Sequence, residues 1–165
     1  MQQRSILFVY PYLDPFDPGC SGGQNRLYNL IQETNKFHKV SVVAPESVVS
    51  GDTPAYFSGY VQRTPGFISD VDPGLATVLD AEIKQNNPDV IHIPYPSGLV
   101  LSRVISIVNR RRPSLLLDAF DVMSERASQF TNENLGSATD RLRHYYSPAL
   151  ESLATTIADH IITVS

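Results

Sequence analysis

The chain is expected to fold as an α/β domain, a doubly wound parallel sheet with helices on both faces. Three observations lead there. Short, near-continuous apolar runs recur at residues 5–10, 38–45, 88–94, 114–120 and 160–165, the pattern of strands buried on both faces. Between them lie stretches with helical spacing or helix-start signals, so strand and helix alternate. The 165 residues suit one compact domain with a sizeable core.

"SILFVY", residues 5–10, is the first strand, and a Pro- and Gly-rich loop runs on from Pro11 to Gly19. Ser21 has the character of a helix N-cap, with Gln24 three residues on to complete a capping box. Leu27, Leu30, Ile31 and Thr34 then follow at the spacing of one helical face. "HKVSVVAP", residues 38–45, is the second strand, ended by Pro45. Residues 46–70 read as irregular, with a short strand signal in "GYVQRT". Asp72 caps the next helix, Pro73 opens its first turn, and Leu75, Val78, Leu79 and Ile83 line one face.

"PDVIHIP" is the next strand, and "SGLVLSRVISIVNRRR" a helix stopped before Pro113. "SLLLDAF" is another buried strand. A polar helical stretch leads to a long helix from about Ala138 to Asp159, interrupted at Ser147-Pro148. "HIITVS" closes the chain as a last strand of the buried type. No loop follows it, which is the expected ending of one half of something longer.

In such sheets the crossovers are right-handed, and ligands bind outside the carboxyl ends of the strands. Four loops are singled out: 11–23, 45–46, 94–98 and 118–126. The net charge of −4 gives no strong field for nucleic acid, so no nucleic-acid partner is expected. One cysteine excludes an internal disulfide and fits a reducing, cytoplasmic compartment. No secretory signal is visible, and no run nears the roughly 18 apolar residues of a membrane span. The expectation is a soluble or at most peripheral protein.

The stretch "GCSGGQNR" places Gly22 and Gly23 in a helix's first turn, where free N–H groups and the helix dipole favour an anion. A phosphate or sugar hydroxyl could sit there; a tight turn without a ligand fits as well. The spacing is neither G-x-G-x-x-G nor G-x-x-x-x-G-K-[ST]. Glu46 stands where a dinucleotide domain puts its ribose-binding acid, but without that fingerprint it reads as a loop carboxylate. Asp118 and Asp121 flank a strand's carboxyl end, with Ser124, Glu125 and Arg126 behind. That placement suits a ligand, and Asp121 would also serve as a helix cap.

Cys20 has no base near it in sequence and reads as passive. His92 reads as a buried, hydrogen-bonded histidine rather than a ligand. No cluster has metal-ligand spacing, so no metal is expected. Arg110, Arg111 and Arg112 read as a solvated helix end. "RLRHYY", residues 141–146, mixes basic and aromatic groups and leaves contact with a membrane surface or acidic partner open.

The pieces "ILFVYPY", "SGGQNRLYNL", "HKVSVVAP", "PDVIHIPYP", "LLLDAFDVMSERA" and "YYSPALESLATTIADHIITVS" occur in an order that resembles the N-terminal, Rossmann-like half of GT-B fold glycosyltransferases, in particular the retaining family 4. The resemblance implies a domain spanning residues 1–165, with the C-terminal donor-binding domain absent and expected as a partner. It implies transfer of a sugar from a nucleotide-sugar, a co-substrate rather than a resident cofactor, to a glycan, lipid or small-molecule acceptor. Gly22, Gly23 and Gln24 would meet the donor's phosphates or sugar. Tyr95, Pro96, Phe120, Ser124 and Arg126 would line the acceptor side, and Asp118 and Asp121 would take the catalytic role. Lipid acceptors in the family leave peripheral contact with the cytoplasmic membrane face open. Phe120 departs from the resemblance, because relatives carry histidine in "D-x-H-D" where this chain reads "DAFD". With that change and without the donor half, the chain alone is expected to be inactive. The alternatives are a silent binding module of the same fold and, less well matched, a nucleotide-binding oxidoreductase domain.

Overall fold

A computed structural model describes residues 3–11, 22–46, 54–61, 72–119 and 138–163. Within them the strands are β1 (Ser5–Val9), β2 (Lys39–Pro45), β3 (Phe57–Tyr60), β4 (Val90–Ile93), β5 (Ser114–Ala119) and β6 (His160–Thr163). The helices are α1 (Gly22–Asn35), α2 (Pro73–Asn86), α3 (Pro96–Val108) and α4 (Ala138–Ile157). The strands form one sheet in the order β3-β2-β1-β4-β5-β6, every pairing parallel. This is the doubly wound, Rossmann-like arrangement. The winding reverses between β1 and β4, where Ile6, Leu7 and Phe8 align with Val90, Ile91 and His92.

Alternation along the strands sorts the side chains into two cores. On one face Leu7, Val9, Val43, Ile91, Ile93, Leu115 and Leu117 meet Leu75, Leu79 and Ile83 of α2, Leu99 of α3 and Ala154 of α4. On the other face Phe8, Tyr10, Val40, Val42 and Ala44 meet Leu27 and Ile31 of α1. The expected inner face of α2 is thus in place: Leu75, Leu79 and Ile83 are buried and Val78 packs against that core. Its cap is in place too, since the Gly74 N–H donates to the Asp72 carboxylate at 2.7 Å.

Several elements differ from expectation. β3 falls two residues before "GYVQRT", because its register against β2 pairs Val42 with Phe57 and Pro45 with Tyr60. α3 ends at Val108, four residues before the last arginine. There Arg110 takes a left-handed conformation (φ 55°) and the Arg111 N–H bonds back to the Ser106 carbonyl at 2.8 Å. This is the hydrogen bond that closes a helix C-terminus, so Arg111 and Arg112 follow the helix rather than belong to it. α4 runs through Pro148 without the expected interruption. One proline removes a single backbone donor, a loss that a helix of 20 residues absorbs.

β6 is not the buried strand that its sequence suggests. Among the described residues it pairs with β5 alone, at the sheet's edge, and Ile161 and Ile162 are both exposed. Apolar composition marks a strand, but its position in the sheet decides its burial. Ser21, Cys20 and the polar stretch at 120–137 lie outside the described residues.

Candidate functional site

The carboxyl ends of β1, β4 and β5 converge beside the point where the winding reverses, the place where open α/β sheets take ligands. After β1, Tyr10 is buried and its N–H bonds the Val43 carbonyl at 2.7 Å. The Tyr60 hydroxyl donates to the Pro11 carbonyl at 2.9 Å and fixes the start of the following loop. After β4, Tyr95 precedes α3 and stands 5.9 Å from Tyr10, ring to ring. Gly98 lets α3 start this close: a Cβ there would lie 3.1 Å from Ile93 Cγ2 and 3.5 Å from Pro11 Cγ.

A polar cluster lies on the α1 side of the sheet. Asp118, near the end of β5, has a side chain only 1% exposed, and Arg26 of α1 donates to its Oδ1 at 3.2 Å. The Arg26 side chain is 37% exposed while its Nη1 is buried, so it runs from the surface inward to a buried carboxylate. His92 of β4 packs against Phe8 at 4.9 Å, and its Nε2 lies 3.2 Å from Asp118 Oδ2. That approach is not a hydrogen bond: among the described residues neither His92 nitrogen nor Asp118 Oδ2 has a hydrogen-bond partner. His92 is therefore buried as expected, but without the hydrogen bond that was expected of it.

The electrostatics favour donors over free negative charge. The carboxylate of Asp118 is offset by the adjoining guanidinium, as a buried charge requires. Burial pushes the Tyr10 phenol well above its ordinary value, with Tyr95 and the Asp118 charge adding to the rise and Arg26 opposing it. Tyr10 thus stays a neutral hydroxyl. In α1, Arg26 is four residues past Gly22 and three past Gly23, so guanidinium and glycines share one helix face at its N-terminal end. Backbone N–H groups, a helix dipole and an arginine together suit an anionic, oxygen-rich ligand.

Of the residues singled out from sequence, the structure brings Gly22, Gly23, Gln24, Tyr95, Pro96 and Asp118 to this one edge of the sheet. Gly22 and Gly23 open α1 as expected, and the Gln24 side chain lies outside the described residues. Phe120, Asp121, Ser124 and Arg126 also lie outside them, as do the side chains of residues 141–146. Glu46 ends apart, at the carboxyl end of β2, with its N–H bonded to the Tyr60 carbonyl at 2.9 Å. Sequence reasoning passed over Arg26 and Tyr10. The signals were there: Arg26 repeats on the glycines' helix face, and Tyr10 closes the first strand. Among the described residues no three His, Cys, Asp or Glu side chains gather as metal ligands would, and no helix is long and apolar enough to cross a membrane.

Fold and site together define a Rossmann-like α/β domain with a buried polar cluster beside its winding reversal. Its fold resembles that of a glycosyltransferase domain: the chain is similar to the sucrose-phosphate synthase from Thermosynechococcus elongatus, with a TM-score of 0.73 and 12% identity over 99% of its length. It spans 43% of that chain, and identity this low speaks for the fold alone. No family model matches the sequence, and no curated protein does.

Proposed function

We propose that the chain is the acceptor-side domain of a glycosyltransferase that uses a nucleotide-sugar donor. The observation that carries this reading is the Arg26–Asp118 pair beside the glycine-started N-terminus of α1. Glycosyl transfer releases a nucleoside diphosphate whose negative charge grows in the transition state, and preorganised donors stabilise such charge best. In this reading the N–H groups of Gly22, Gly23 and Gln24 receive the diphosphate and Arg26 adds a charged contact. Asp118, sealed from solvent, positions Arg26 rather than touching the substrate. Tyr95 and Pro96 border the acceptor, together with Phe120, Asp121, Ser124 and Arg126 from the segment after β5. The donor's nucleotide is held chiefly by a second domain.

The test is titration of the chain with UDP-, GDP- and ADP-sugars, with NAD as control, followed by a transfer assay with the second domain supplied. Millimolar or absent binding by the chain alone, and transfer once both domains are present, is the expected result. Arg26→Ala should then cut transfer while leaving the helix content intact. Micromolar NAD binding by the chain alone would overturn the reading.

A further inference from the structure

The amino-terminal edge of the sheet, opposite the candidate site, carries a second surface. On α3, Val104, Ile107 and Val108 follow one another at i, i+3 and i+4 and are 53%, 66% and 73% exposed. Arg110, Arg111 and Arg112 come directly after them, all exposed. The three arginines, with Arg103, Ile107, Pro113, Ser114 and Asp159, line an open groove of about 870 Å³. Asp159 is already engaged, accepting from Arg103 at 3.1 Å and from the Leu115 N–H at 2.8 Å. In a chain whose net charge is −4, three adjacent exposed arginines are a local excess of the opposite sign.

Arg110 makes the surface harder to read as an ordinary helix end. It holds a left-handed conformation, φ 55°, at the position where helices end on glycine. A long cationic side chain sits there at a conformational cost, and such costs persist where function needs the side chain.

We infer that this face docks on an anionic lipid bilayer, with Val104, Ile107 and Val108 entering the headgroup–acyl boundary and Arg110, Arg111 and Arg112 meeting lipid phosphates. Charge alone would fit any polyanion. The exposed apolar stripe beside the arginines selects a bilayer, since interfacial binding adds buried apolar area to electrostatic attraction. Docking at this edge leaves the carboxyl ends of the strands open, and the inference stands independently of the glycosyltransferase reading.

Flotation of the chain with vesicles tests it. Binding is expected to vesicles of phosphatidylcholine doped with phosphatidylserine, weak or absent on phosphatidylcholine alone, and weakened by added salt. Neutralising all three arginines (R110Q/R111Q/R112Q) should weaken it roughly a hundredfold, at about fivefold for each basic side chain. Ile107→Ser with Val108→Ser should weaken it as well. Arg110→Gly separates stability from docking: it should raise the melting temperature yet weaken vesicle binding about fivefold. Equal binding to both vesicle types, or none to either, would overturn the inference. So would binding that survives the triple variant. Calorimetric binding of inorganic phosphate without any vesicle preference would likewise reduce the groove to a free-anion site.

Discussion

The two faces of the sheet are built on opposite terms. On the face covered by α2, α3 and α4 the buried strand side chains are mostly aliphatic, from Leu7 to Leu117, with Tyr60 and Ser41 the exceptions. On the α1 face the same alternation puts Phe8, Tyr10, His92 and Asp118 on neighbouring strands, and a charged side chain from α1 reaches in among them. The first face is satisfied chiefly by volume and close packing, and its buried carboxylate, Glu82, accepts from Ser58 and Asn86. The second must also satisfy a buried charge and several polar atoms, and it does so incompletely. The buried charge and the unpaired polar atoms around it thus gather on the α1 face, beside the winding reversal.

The comparison sharpens through substitutions, beginning with the largest. Leu79→Ala on the aliphatic face removes a fully buried side chain and should cost about 2–5 kcal/mol in urea unfolding. Arg26→Ala on the other face leaves Asp118 as an uncompensated buried carboxylate and should cost about 3 kcal/mol. Asp118→Asn should cost less, about 1–2 kcal/mol, because the buried charge is removed while an amide oxygen can still accept from Arg26. If these two variants proved equally destabilising, the asymmetry between a sealed carboxylate and a half-open guanidinium would be refuted. His92→Leu should change stability by less than about 1 kcal/mol, since among the described residues neither ring nitrogen has a hydrogen bond to lose.

Tyr10 gives a pH signature to the same face. Its pKa is raised on folding, so the native state holds the proton more tightly than the unfolded chain does. Its contribution is fully present below the ordinary phenol value near 10 and is lost as pH climbs beyond it. Stability measured on the alkaline side should fall less steeply in Tyr10→Phe than in the parent. A phenolate absorbance titration should show one fewer tyrosine resisting ionisation in Tyr10→Phe than in the parent.

Much of the fold was legible because its determinants are local. The apolar strand runs, the Asp72 cap, the helix starting at Gly22 and the inner face of α2 each depend on residues within a few positions of one another. What was not legible depends on distant partners. The register of β3 is set by β2, the exposure of β6 by its place at the edge, and the Arg26–Asp118 contact by residues 92 positions apart. The end of α3 was misplaced for a different reason: nothing in "NRRR" announces a left-handed arginine where glycine is the usual choice. At the candidate site the glycines, Tyr95 and Asp118 could be nominated from strand ends. That Asp118 lies sealed behind Arg26 required the packing of α1 across the sheet.

The pairing of β1 with β4 also bears on how the molecule assembles. Ile6 and Val90 meet across more than half of the chain's length, whereas β1–β2 and β4–β5 are joined by single helical crossovers. Closing the longer connection costs more chain entropy before any contact rewards it. Two βαβ units are therefore expected to form first and to meet along the β1–β4 seam afterwards. The tyrosines and the charged pair straddle that seam, so a probe of the Tyr10–Tyr95 or Arg26–Asp118 contact should report later than one placed on Leu27, which packs within the first unit.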